Sequence, residues 1–158
     1  LERVVRAVRD RTTRTLIVKL APNVTRIEPF ARIAEEAGAD ALSLINTYPA
    51  MAIDIETRRP VLSNVTGGLS GPAIHPIAVK LVYEAARAVR IPIIGIGGIL
   101  EARDAIEFLI AGARAVAVGT AHFVDPATAL KVAEGIGAYL TRHGFSDVAE
   151  IIGSLKRE

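Results

Sequence analysis

The feature that most restricts this sequence is a repeated junction, Ala-Gly-Ala-Asp-Ala at residues 37–41 and Ala-Gly-Ala-Arg-Ala at residues 111–115. Each copy follows an apolar stripe of helical spacing (Phe30, Ile33, Ala34 and Ala37, then Ala102, Ala105, Ile106 and Leu109) and leads into a short apolar run, ALSLIN at 41–46 and AVAV at 115–118. A glycine there supplies the left-handed residue that closes a helix, and the run beyond it is too short and too branched for another helix. Matching runs precede the helices, TLIVKL at 15–20 and PIIGI at 92–96. Strand, helix, glycine cap and strand with short links predict βα units on a parallel sheet, hence the α/β class.

A helix over 76–89, with Val79, Val82, Ala86 and Val89 inward, is the crossover between the runs at 41–46 and 92–96, and Asp125-Pro126 marks the start of a further helix bearing Val132, Ile136, Tyr139 and Leu140. His143-Gly144 closes that helix, and a short last one carries Val148, Ile151, Ile152 and Leu155. Residues 47–75 break the rhythm. Alternating Met51, Ile53, Ile55 and Val61 around Thr57-Arg-Arg-Pro60 predict a small hairpin over one end of the sheet, before the glycine-rich TGGLSGP at 66–72. Four βα units make half of a (β/α)8 barrel, and a doubly wound sheet uses the same pieces. Leu1, Val4, Val5 and Val8 form an amphipathic stripe that opens with no capping residue. The expectation is therefore one unit, residues 1–158, forming part of a larger barrel domain.

Composition narrows the chemistry. Nineteen Lys and Arg against seventeen Asp and Glu leave a net charge of +2, with no basic run or aromatic ladder to favour nucleic acid. No cysteine is present, so a disulfide, a thiolate metal site and a cysteine nucleophile are excluded within these residues. No apolar run has the length of a membrane span and no signal peptide opens the sequence, which makes cytoplasm the expected compartment.

Ligands of βα sheets collect at the C-terminal ends of the strands, which here are Lys19, Asn46-Thr47, Gly95-Ile-Gly-Gly98 and Gly119-Thr120. Gly97-Gly98 and Gly119-Thr120 let backbone N–H groups approach an anion, although tight turns alone would use the same residues. Residues 95–100 lack the last glycine of a dinucleotide fingerprint. Lys19 alternates with Val18 and Leu20, so its ammonium is expected among strand side chains, serving a ligand or an ion pair with a neighbouring strand's carboxylate. Asn46 can donate and accept at once, which suits an imide or carboxylate, or it caps its own turn. His75, His122 and His143 lack metal-ligand spacing and are assigned to the surface or to caps. Asp54, Glu56, Arg58 and Arg59 read as solvated charges, with an interface as the alternative.

Several strings, in order, resemble one family. VKLAPNVT at 18–25, INT at 45–47, MAID at 51–54 with Arg59-Pro60, TGGLSGPA at 66–73, IPIIGIGG at 91–98 and AVGT at 117–120 are similar to the C-terminal half of class IB dihydroorotate dehydrogenases, the NAD-linked, two-subunit type. IGIGG alone is common among phosphate-binding barrels; the ordered set is specific. The resemblance implies a half of a (β/α)8 barrel with FMN at its C-terminal face, oxidising dihydroorotate to orotate in pyrimidine synthesis. By position, Lys19, Ile45, Gly71, Gly97, Gly98, Gly119 and Thr120 match flavin contacts, and Asn46 and Thr47 match substrate contacts. It also implies an electron-transfer subunit bearing FAD and a two-iron two-sulfur cluster. The family's first half, with the cysteine base, is not among these residues, and no catalytic residue is identified in them. Open sheet edges predict a homo-oligomer. The competing readings are a non-catalytic half-barrel that holds FMN or another phosphate ligand, a self-associating fragment, and a flavin barrel acting on another pyrimidine.

Overall fold

A computed structural model describes residues 1–156. Four strands, β1 (Ile17–Leu20), β2 (Ala41–Leu44), β7 (Ile93–Ile96) and β8 (Ala115–Ala117), pair in parallel and lie side by side in chain order. The order never reverses, as it would in a doubly wound sheet. Between and after them run α2 (Glu28–Glu36), α3 (His75–Ala86), α4 (Ala102–Ala111) and α5 (Thr128–His143), each packed on the next, with α1 (Glu2–Arg9) beside α2.

The register sorts strand side chains onto two faces. Leu20, Leu42, Leu44 and Ile93, with Val18 and Val116, join the helices in one core. Ala31, Ala34, Ala78, Ala85 and Ala105 are fully buried there, and such small side chains let helix backbones come close to the sheet. Phe108 is the largest fully buried side chain and lies under Gly95, where an added methyl group would sit 2.6 Å from its ring. The other face carries Ile17, Lys19, Ala41, Ser43, Ile94, Ile96, Ala115 and Ala117, and no helix of the described residues covers it. Ile17 is 47% exposed on that face.

The predicted hairpin is a nested pair. β4 (Ile53–Asp54) pairs with β5 (Arg59–Pro60) inside the pairing of β3 (Tyr48–Ala50) with β6 (Gly67–Leu69). Asp54 accepts N–H bonds from Glu56 and Thr57, which hold its carboxyl below the usual carboxylate value.

Three boundaries differ from expectation. The buried stripe of α3 is Ala78, Leu81, Val82 and Ala85; Val79, Ala86 and Val89 flank it, because the alanines meet the sheet and the valines fill the shoulders. The fourth helix starts at Thr128, since the Asp125 side chain accepts from the Ala127 N–H at 2.9 Å and its carbonyl from the Thr128 hydroxyl at 2.6 Å, making a turn of Asp125-Pro126. The α1 stripe buries Val5 alone, leaving Leu1, Val4 and Val8 exposed.

Asp40 ties α1 to the sheet, accepting from the Leu16 N–H at 2.7 Å and from Arg9 at 2.8 Å. The Leu16 N–H, then Arg9, lower its pKa from the ordinary 3.8. A carboxylate with a depressed folded value contributes stability that is present above its unfolded pKa and lost as pH falls through the folded one. Urea unfolding below about pH 4 should therefore weaken the protein, and Asp40→Asn, already less stable at neutral pH, should lose less on acidification. Parallel pH profiles for the two proteins would refute this role.

Candidate functional site

All four sheet strands end on the same side, so the turns after them meet. Together with the segment after β6 they enclose a cleft of about 240 Å³. Lys19 closes β1, Ile45 and Thr47 follow β2, Gly71 precedes α3, Gly97 and Gly98 follow β7, and Gly119 and Thr120 follow β8; all eight line the cleft. Asn46 is the one expected site residue outside the lining. It is exposed beside the cleft, and its N–H donates to the Leu20 carbonyl at 3.1 Å.

Lys19 departs from its expected setting. It is exposed on the open sheet face, its register neighbour on β2 is Ser43, and it has no ion-pair partner among the described residues. β1 is an edge strand, so the ammonium reaches water and needs no carboxylate. It is the sole titratable side chain in the lining.

The glycine turns offer donors. Among the described residues the N–H groups of Gly98, Ile99, Gly119 and Thr120 have no acceptor. A methyl group built on Gly71 or Gly119 meets nothing within 4 Å, so both glycines border open space. Gly97 differs: its φ is +144°, and a methyl group there would sit 2.7 Å from Ala78 Cβ. Its lack of a side chain lets the turn pack on α3. With unpartnered N–H groups, one cation and no acid, the cleft is suited to an anion.

Ser70 was not singled out from the sequence, although it stands inside the TGGLSGPA string. It accepts a hydrogen bond from Thr120 Oγ1 at 2.7 Å, joining the two lips of the cleft. His75 is a second omission and corrects the surface-or-cap assignment. Its side chain is 12% exposed, with Nδ1 3.1 Å from the Gly97 carbonyl and Nε2 3.1 Å from Glu107 Oε2. No spacing rule could have found it, because its partners lie 22 and 32 residues away. His122 is half-buried with Nδ1 3.2 Å from the Gly119 carbonyl, and His143 lies in the last turn of α5 against Tyr139.

A larger groove, about 350 Å³, opens at the strand N-termini beside Arg87, Arg90 and Arg114. It has no strand-end glycine turn. The cleft at the C-terminal ends is therefore the better candidate.

Residues 1–140 match the family model described as dihydroorotate dehydrogenase. This chain belongs to the dihydroorotate dehydrogenase family. It is 58% identical over 153 residues to the catalytic subunit of dihydroorotate dehydrogenase B (NAD(+)) of Phocaeicola vulgatus, covering 97% of this chain and 50% of that protein. The Trichlorobacter lovleyi protein of the same name is 60% identical over the same shares. A Solibacter usitatus protein with the provisional name dihydroorotate dehydrogenase A (fumarate) is 59% identical over 99% of this chain and 51% of its own length. The chain thus spans about half the length of the curated relatives it matches. Among the described residues, no helix is long and apolar enough to cross a membrane.

The glycines make separable predictions. Gly97→Val and Gly112→Val should each cost about 2 kcal/mol or more in thermal or urea unfolding, since both have positive φ and a neighbouring Cβ at 2.7 Å. Gly119→Val should leave stability nearly unchanged and fill the cleft. A Gly119 variant as unstable as the other two would remove the open cradle from the description.

Proposed function

We propose that this chain supplies the FMN-phosphate site and part of the substrate site of an enzyme that oxidises dihydroorotate to orotate in pyrimidine synthesis. The observation that carries the reading is the convergence, in one cleft of a family member, of unpartnered N–H groups at Gly98, Ile99, Gly119 and Thr120 with a single cation, Lys19. Gly71 and Gly119 leave room for a phosphate to approach the backbone. Gly97 and Ile45 form the floor beside it.

FMN, held by these residues, would supply the hydride acceptor for dihydroorotate. Lys19 would bring a positive charge to the cleft, which would favour the reduced, anionic form of such a cofactor. Asn46 and Thr47 offer amide and hydroxyl groups that suit the imide and carboxylate of the substrate. Forming the new double bond also releases a proton, and the cleft lining contains no carboxylate, imidazole or thiol to take it. The family resemblance assigns the base to the half of the enzyme outside these residues.

The same reading completes the architecture. Four parallel strands in chain order, helices on one side and an apolar face on the other are what half of a (β/α)8 barrel presents. The remaining half covers that face and contributes the other flavin contacts. The relatives' name, catalytic subunit of an NAD(+) enzyme, supports a second subunit, which by family resemblance carries FAD and a two-iron two-sulfur cluster. The fumarate name of the Solibacter relative makes the electron acceptor the point on which such proteins differ.

Prepared alone, the chain should self-associate through its open sheet face and edges. Sedimentation showing a stable, folded monomer at high concentration would count against the half-barrel.

Prepared alone with FMN, it should also fail to oxidise dihydroorotate, because a positioned base is typically worth about 10²- to 10⁴-fold and orientation is lost with half the cradle. Activity should return when the other half is supplied, and fall again on Lys19→Ala or Asn46→Ala. Anaerobic flavin bleaching is the assay, and rapid bleaching by the isolated chain would overturn the missing-base argument.

A further inference from the structure

His75 is the one histidine whose two ring nitrogens both face oxygen atoms that can only accept. The Gly97 carbonyl stands 3.1 Å from Nδ1 and Glu107 Oε2 stands 3.1 Å from Nε2. A carbonyl only accepts, so Nδ1 donates to Gly97, and Nε2 on the far side of the ring meets Glu107, which holds the ring between the two. The other Glu107 oxygen lies 3.4 Å from Arg103 Nε. Asp104, the other carboxylate near the ring on α4, is occupied by the N–H groups of Leu100 and Glu101. Phe108 meets the ring edge-on, with centroids 5.2 Å apart.

The contact reaches the cleft from behind. His75 does not line it; Gly98 lines both the cleft and a separate outer cavity of about 430 Å³ that His75 borders. One peptide plane, from Gly97 to Gly98, is shared. In a trans peptide the carbonyl of one residue and the N–H of the next point in opposite directions. A donor that holds the Gly97 carbonyl on the His75 side therefore turns the Gly98 N–H the other way, and that N–H has no acceptor among the described residues. Two glycines in a row, with φ +144° and +68°, would otherwise leave this plane free to rotate.

We propose that His75, held in place by Glu107, is a positioning residue that fixes the Gly97–Gly98 peptide so that the Gly98 N–H faces the phosphate of the flavin. The inference rests on the FMN reading above and adds a residue that never touches the cofactor.

The test uses the full-length protein that contains this chain, stripped of flavin and titrated with FMN and with riboflavin, which lacks the phosphate. His75→Asn keeps an N–H donor near the place of Nδ1, whereas His75→Gln moves its amide towards Glu107 and abandons the Gly97 carbonyl. FMN affinity should fall roughly 10-fold or more in His75→Gln and stay within about 3-fold of wild type in His75→Asn, the loss matching one hydrogen bond to a charged group. Riboflavin affinity should be the same in all three. In ¹⁵N-histidine-labelled wild-type protein, Nδ1 of His75 should resonate as protonated; this reading holds even if a variant fails to fold. Unchanged FMN affinity in His75→Gln, equal losses for FMN and riboflavin, or an unprotonated Nδ1 would overturn the role of His75 alone. Wild-type protein that binds riboflavin as tightly as FMN would overturn the phosphate reading and this inference with it.

Discussion

The parallel hydrogen-bond ladder is the constraint on which everything else depends. Parallel neighbours cannot be joined by a tight turn, so each link must cross the whole length of the sheet, and a helix is the compact way to do so. Every strand then ends on the same side. From that one requirement follow the layer of helices, the opposite uncovered face, and the meeting of four chain turns around a single cleft. The chemistry sits there because the ladder leaves backbone groups unsatisfied there.

Small residues let those layers close. Alanines at the helix–sheet contacts are fully buried, and the Phe108 ring occupies the space that a side chain on Gly95 would need. Glu35 extends the same economy to the connections: its side chain accepts the N–H groups of Arg90 and Ile91 just ahead of β7. Asp104 with Glu101 caps α4, and Glu150 with Asp147 closes the last turn in the same manner. Exposed carboxylates thus do at the ends of elements what the ladder does inside the sheet.

Much of this was readable from residue order. Alternation and glycine caps located the four strands to within a residue or two, because a buried strand and a left-handed cap each demand particular side chains. Eight of nine nominated site residues line one cleft, seven because strand ends in a parallel sheet have nowhere else to go and Gly71 because the segment ahead of α3 meets them there. What escaped was relational. The setting of Lys19 depended on β1 being an edge, the register of α3 on which shoulder the alanines filled, and the start of α5 on a competing side-chain acceptor at Asp125. Ser70 and His75 matter only through partners brought close by folding, and no local pattern announces them.

The walls of the cleft also differ in how they can change over evolutionary time. At Gly97 and Gly98 an added methyl group would run into Ala78, His75 or the Gly71 carbonyl, all part of the seat of α3. Any new side chain on that wall would require a helix to move first. At Gly71 and Gly119 the same addition meets only empty space. Gly71, at φ +89°, is still held to glycine by its backbone, so single substitutions can reshape the cleft at Gly119 while the other wall stays fixed, and drift in ligand preference should be recorded at Gly119 and conserved geometry on the wall opposite.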